Sequence, residues 1–140
     1  MTHQTIVVLD FGSQYTQLIA RRLRELSVLT EILPFDVTTK ELRDRDPAGI
    51  ILSGGPRSMS HPDAPHCDVQ IFGLEIPILG ICYGMQTMAA QLGGEVETSK
   101  HREYGFSEIR SVSSSPLIDG LHDCLDAEGI GLLQVWMSHS

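Results

Sequence analysis

An apolar run, Pro77-Ile78-Leu79-Gly80-Ile81, ends in Gly80-Ile81-Cys82-Tyr83-Gly84 and becomes the helix-forming stretch that begins at Met85-Gln86. Few backbones accommodate that pattern. A glycine on each side of a cysteine permits a strand-to-helix turn so sharp that any Cβ would be crowded, and the turn lifts the side chain to the carboxyl end of a sheet. This is the nucleophile elbow, with sulfur where a hydroxyl is more usual. Cys82 then stands at a helix N-terminus, whose partial positive charge favours thiolate, and the backbone N–H of Tyr83 faces any oxyanion that develops beside it. Cys67 and Cys124 lack such flanks and read as structural residues. Three cysteines without paired spacing make neither a disulfide framework nor a zinc knuckle, so a reducing cytoplasm is the expected compartment.

At 140 residues and 41% hydrophobic content, the chain is long enough for one modest domain with a real core, or for part of one. A formal charge of −8 with only ten Lys and Arg speaks against nucleic-acid binding, because a patch that tracks phosphates is hard to assemble from so few cations. Ile6 to Leu9 is too short for a signal peptide or a membrane span, and no membrane partner is expected.

The chain alternates strand and helix patterns up to Gly94. Ile6-Leu9 is a strand, and Asp10-Phe11-Gly12-Ser13 is a loop into a helix over Thr16–Leu26, with Leu18, Ile19, Leu23 and Leu26 near helical spacing and the arginines mostly opposite. Val28–Leu33 follows as a strand, Val37–Arg45 as a short helix capped by Thr38 or Thr39, and Gly49–Leu52 as a third strand. Pro77–Ile81 is the fourth strand and Gly84–Leu92 a helix closed by Gly93-Gly94. Beyond that point Glu95–Thr98, Tyr104–Val112 and Leu132–Met137 read as strands without long helices between them, which predicts antiparallel or edge pairing. The expected architecture is an open, mostly parallel α/β sheet with helices on both faces.

Ser53-Gly54-Gly55-Pro56 closes the third strand as a second glycine-containing βα junction. In a parallel sheet it shares a rim with Cys82. Read alone, Gly54-Gly55 is equally an ordinary turn. Beside the elbow, a thiolate, the amide of Tyr83 and an amide at Gly55 make the minimum apparatus for acyl transfer through a thioester. No Gly-x-x-x-x-Gly-Lys-Ser/Thr loop is present, so ATP is not expected here. His61 and His66 lie near Asp63, Cys67 and Asp68 without regular ligand spacing, which favours a solvated loop over a metal site. A general base is required, yet His101, His122 and His139 each read as surface or loop histidines.

Asp10-Phe11-Gly12-Ser13-Gln14-Tyr15, Ile51-Leu52-Ser53-Gly54-Gly55-Pro56, Gly80-Ile81-Cys82-Tyr83-Gly84-Met85-Gln86 and Val135-Trp136-Met137-Ser138-His139 together resemble the glutaminase domain of the GMP synthase family, within the class I glutamine amidotransferases. The resemblance covers nearly the whole chain, residues 1–140, read as a partial type 1 amidotransferase domain of flavodoxin-like fold whose carboxyl-terminal part is missing. It implies hydrolysis of glutamine to glutamate and ammonia, with ammonia passed to a synthetase (ATP-pyrophosphatase) domain or subunit that aminates adenylated XMP. By that resemblance Cys82 is the nucleophile and Tyr83 and Gly55 are the oxyanion donors. Gly54, Gln86, Ser138 and His139 belong to the glutamine pocket. Gln86 lies on the first turn after the elbow, where its amide either bonds substrate or sits on the helix surface. No cofactor is implied for this domain; ATP and Mg²⁺ belong to the synthetase part.

The family's catalytic histidine and glutamate come from a His-Pro-Glu motif beyond the Ser-His segment, and the sequence reaches Ser140 without one. Ser140 also stands where the family commonly has glycine. The expectation is a chain with the nucleophile half of a site, little glutaminase turnover of its own, and exposed apolar sheet surface with an unpaired edge. Two other readings remain open on sequence alone. One is another α/β cysteine hydrolase using His101 or His122, and the other a non-catalytic glutamine-binding or docking module.

Overall fold

A computed structural model describes residues 4–55, 63–97 and 103–139, and the chain divides after Glu97 into two compact units. The first is built on four parallel strands. β1 (Thr5–Asp10), β2 (Leu29–Pro34), β3 (Gly49–Leu52) and β4 (Ile78–Gly80) lie in the order β2-β1-β3-β4. Between them run α1 (Thr16–Glu25), α2 (Thr39–Arg45) and a 3₁₀ turn (Val69–Gly73), and α3 (Tyr83–Gln91) follows β4. The chain leaves β1 in one direction to reach β2 and returns past it to β3. Right-handed crossovers therefore place α1 and α2 on opposite faces of the sheet.

Side-chain alternation separates the same two faces. Val7 is in register with Ile50 and Leu9 with Leu52, and all four join Val37, Leu42, Ile71 and Tyr83 in one buried cluster. Val8 and Ile51, one residue out of step, are also buried but lie outside that cluster, as period-two geometry requires. The α1 periodicity is only partly borne out: Leu18 and Leu26 are exposed, while Thr16 and Ala20 are the buried residues of the helix. Small side chains let α1 approach the sheet closely, and the long leucines fall on its flanks.

Local chemistry fixes the other helix ends. Of the two candidate caps, Thr38 is the one used: its hydroxyl accepts from the Glu41 N–H at 3.2 Å, and Glu41 Oε2 accepts from the Thr38 N–H at 3.0 Å. Asp68 then ties the segment before the 3₁₀ turn to α2. It accepts from the Thr39 hydroxyl at 2.5 Å and from the Gln70 N–H at 3.0 Å, and these bonds, the Thr39 hydroxyl foremost, hold its carboxyl below the ordinary aspartate range. Sequence placed Asp68 in a loose His/Asp cluster; it is a structural clamp.

The second unit is an antiparallel sheet of β5 (Glu103–Arg110), β6 (Cys124–Leu125) and β7 (Gly131–His139), ordered β5-β7-β6. Tyr104–Val112 and Leu132–Met137 were expected as strands and are found within a residue or two. Glu95–Thr98 is a correction. Glu95, Val96 and Glu97 are exposed and form no strand, because no neighbour pairs with them among the described residues, and Thr98 lies outside those residues.

Candidate active site

Cys82 occupies the turn between β4 and α3 with φ 54° and ψ −117°, a region that a residue bearing a Cβ rarely enters. Its neighbours make that conformation possible. A Cβ on Gly80 would lie 2.7 Å from the Met85 Cα, and one on Gly84 would run into the Leu52 carbonyl. Both glycines are therefore required by close backbone approach rather than by their own dihedrals. The Cys82 carbonyl accepts from the Met85 and Gln86 N–H groups at 3.0 and 3.2 Å, which starts the helix, and the side chain is left exposed.

The Tyr83 N–H stands at the first helical position, where no intrahelical acceptor exists. Its ring is buried against Phe11 at 5.5 Å between centroids, and its hydroxyl donates to the Pro65 carbonyl at 2.7 Å. These contacts anchor the residue that follows the thiol. The helix start cannot rotate without breaking them.

The loop after β3 meets the elbow because β3 and β4 are adjacent and parallel, with Leu52 opposite Gly80. A Cβ built on Gly54 would sit 3.5 Å from the Cys82 Cβ, and one on Gly55 would meet the Phe11 carbonyl at 2.9 Å and the Tyr83 ring at 3.3 Å. Gly54, Gly55, Ile81 and Cys82 line one cavity of about 490 Å³ together with residues from Gly12 to Tyr15 and with Ile19. The structure thus joins Cys82, Gly54 and Gly55 as expected and adds the β1–α1 loop. That loop was marked by its resemblance to the family and by its place at the carboxyl end of a parallel strand, but it carried no chemical role of its own.

Gln86 is partly exposed one turn along α3 and is not among the residues lining this cavity. Ser138 and His139 end β7 in the second unit, in register with Tyr104 and Glu103. His61 and His101 lie outside the described residues, and His66 and His122 are exposed. Among the described residues no group of three His, Cys, Asp or Glu is placed to hold a metal ion. No helix there is long and apolar enough to cross a membrane.

The other thiols lie in different surroundings. Cys67 is buried, its sulfur donates to Gln91 Oε1 at 3.3 Å, and burial pushes its pKa up to about 11. It remains a neutral thiol at physiological pH. Cys124 is exposed on the two-residue strand β6.

An exposed thiol on a strained strand-to-helix turn, facing a glycine loop at the carboxyl end of a parallel sheet, has the backbone geometry of a nucleophile elbow on an α/β sheet. The sequence profile of the class-I glutamine amidotransferases matches residues 7–140, and the chain belongs to that family. It is 56% identical over 136 residues to the GMP synthase (glutamine-hydrolyzing) of Methylobacillus flagellatus and 54% identical over 134 residues to that of Escherichia coli O127:H6. These alignments take in 97% and 96% of this chain but 26% of each relative, so the chain spans about a quarter of the length of the curated relatives it matches. Among solved structures, a candidate GMP synthase subunit from Thermoplasma acidophilum superposes with a TM-score of 0.76 at 32% identity, covering 99% of this chain and 66% of that one.

Proposed function

We propose that this chain is the thiol-bearing part of the glutaminase of a GMP synthase, working in the cytoplasm with a synthetase partner that consumes its ammonia. One observation carries the reading: Cys82 is held at a positive φ, exposed, in the same cavity as the Gly54-Gly55 loop and beside the free helix-start amide of Tyr83. In the reaction, the Cys82 sulfur attacks the γ-carboxamide carbon of glutamine and the carbonyl oxygen becomes an oxyanion. The N–H groups of Tyr83 and Gly55 are the proposed donors to it. Collapse of the intermediate breaks the C–N bond, a proton goes to the departing nitrogen, and ammonia leaves a γ-glutamyl thioester. Water then hydrolyses the thioester to glutamate and restores the thiol.

Gly54, Gln86, Ser138 and His139 are proposed as the glutamine-binding residues, and residues 1–140 as part of one amidotransferase domain. ATP and Mg²⁺ would act in the synthetase partner, where adenylated XMP accepts the ammonia. The base that moves the protons is assigned by family resemblance to a His-Pro-Glu motif, which these 140 residues do not contain. A general base contributes about 10²- to 10⁴-fold, so turnover by this polypeptide alone should fall at least about a hundredfold below that of a glutaminase that has the base.

Covalent labelling separates the thiol from the missing base. A glutamine-shaped chloroketone should alkylate Cys82 with saturation kinetics and protection by glutamine, and Cys82→Ser should abolish the adduct. Equal labelling of parent and variant, or no protection by glutamine, would overturn the reading.

A further inference from the structure

We propose that Ser53 is a positioning residue for the oxyanion site: its hydroxyl holds the Gly54 carbonyl and thereby turns the Gly55 N–H toward the thiol. The inference rests on the assignment of Gly55 as a donor and names what sets its direction. Ser53 is 0% exposed, and its Oγ lies 3.1 Å from the Gly54 carbonyl oxygen. No peptide bond in the described chain is cis, so the Gly54–Gly55 peptide presents its C=O and N–H in opposite directions. A carbonyl drawn inward to a buried hydroxyl leaves the N–H pointing outward, and outward from Gly54 and Gly55 is the Cys82 cavity. Glycine at both positions leaves this peptide free to turn over unless something holds it.

The hydroxyl belongs to a short buried chain of polar groups. Thr16 Oγ1, 1% exposed, is 3.0 Å from Ser53 Oγ and 3.0 Å from Asp10 Oδ1. The Phe11 N–H donates to Ser53 Oγ at 3.3 Å, and the Gly12 N–H donates to Asp10 Oδ1 at 2.8 Å. Counting protons decides what this chain does. Two hydroxyl protons serve three contacts: Thr16 with Asp10, Thr16 with Ser53, and Ser53 with Gly54. If Thr16 donates to Ser53, the Ser53 proton is committed to the Gly54 carbonyl. If Thr16 donates to the carboxylate, Ser53 divides its proton between Thr16 and Gly54. The charge on Asp10 therefore competes with the hold on the peptide, and the hold acts through Ser53.

The test compares two electrophiles on the whole chain. On a glutamine-shaped chloroketone the thiolate adds to the carbonyl carbon to give a tetrahedral oxyanion, and sulfur then passes to the adjacent carbon as chloride leaves and the carbonyl re-forms, whereas alkylation by iodoacetamide displaces iodide directly and forms no oxyanion. The ratio of the two Cys82 labelling rates thus reads the oxyanion site apart from thiol exposure. Ser53→Ala should lower the ratio about tenfold, less than the loss of a donor outright. Asp10→Asn, whose neutral oxygen draws the Thr16 proton less strongly, should hold it at or above the parent value. A ratio in Ser53→Ala within twofold of the parent, or an equal fall in both variants, would overturn the proposal. If the parent shows no glutamine-protected chloroketone labelling, the glutaminase reading itself has failed. The peptide can then still be read directly by NMR. A cross-peak between the Gly55 amide proton and the Cys82 β-protons, present in the parent and lost in Ser53→Ala, supports the hold, and its persistence sinks it. Should Ser53→Ala not fold, Ser53→Cys, which keeps an atom there but donates weakly, takes its place in both measurements with a fall in the same direction.

Discussion

The parallel unit and the antiparallel unit of this chain are stabilised in different ways. Among the described residues every buried hydrophobic one, from Val7 to Tyr83, lies in the first, whereas no residue from Glu103 to Ser138 is buried. The second unit presents Tyr104, Phe106 and Trp136 to solvent, the last 77% exposed, with Phe106 directly across from Trp136. Its order comes from the β5–β7 ladder and from a polar knot, in which Arg110 pairs with Asp126 at 2.7 Å and Glu128 at 2.7 Å while Asp126 Oδ1 accepts the Glu128 and Ile130 N–H groups. A sheet with one face only half-buried, at Leu133, Val135 and Met137, gains less from the hydrophobic effect. The thiol and the glycine loop stand on the unit that has a core, where a strained turn can be held.

The comparison breaks most sharply at Gly84. A methyl group there meets the carbonyl of Leu52, a central core strand, and neither backbone can yield without opening the β3–α3 contact. Gly84→Ala should cost more than about 3 kcal/mol in urea melts, beyond what overpacking with a single side chain usually exacts. If the variant melts like the parent, the elbow is not under the backbone constraint argued here. Next in size is the contrast between Leu42 and Trp136. Leu42→Ala empties a fully buried position and should cost about 3 kcal/mol, whereas Trp136→Ala should change stability by less than about 0.5 kcal/mol despite removing the larger side chain. Comparable losses would mean that the second unit has a core after all.

The same division governs what could be read from the amino-acid order. The elbow was legible because its constraint is local: two glycines around a cysteine, then a helix, admit few backbones. The β1–β4 strands were legible because their β-branched runs are bounded by turn residues. What escaped either had no periodic signature or had one that packing overrode. The 3₁₀ turn at Val69–Gly73 is five residues long and owes its place to Ile71 entering the core and Asp68 reaching α2. Leu18 and Leu26 look like core residues by spacing, yet which stripe of α1 is buried depends on how closely Ala20 lets it approach the sheet. The Ser53–Thr16–Asp10 chain joins residues 37 and 6 positions apart and becomes visible only when β1 and β3 are paired. Glu95–Glu97 has strand composition, but a strand exists only where a neighbour accepts its hydrogen bonds.

Acid and salt should separate the two units by the smallest effect and the cleanest logic. Asp68 is held below the ordinary aspartate range chiefly by the Thr39 hydroxyl, and Asp126 chiefly by the Arg110 guanidinium. A carboxyl whose pKa is depressed on folding contributes stability that is present above its unfolded value of about 3.9 and is lost as pH falls through the folded one. Both units should therefore loosen below about pH 4, seen as faster amide exchange at Gln70 in the first and at Glu128 and Ile130 in the second. Salt discriminates because the partners differ. Screening at about 0.5 M ionic strength weakens an exposed guanidinium–carboxylate pair but hardly touches a bond from a neutral hydroxyl. Raising salt at neutral pH should speed exchange at Glu128 and Ile130 and leave Gln70 unchanged. Equal sensitivity at both sites would show that the polar knot of the second unit is held by its backbone turn rather than by the charge on Arg110.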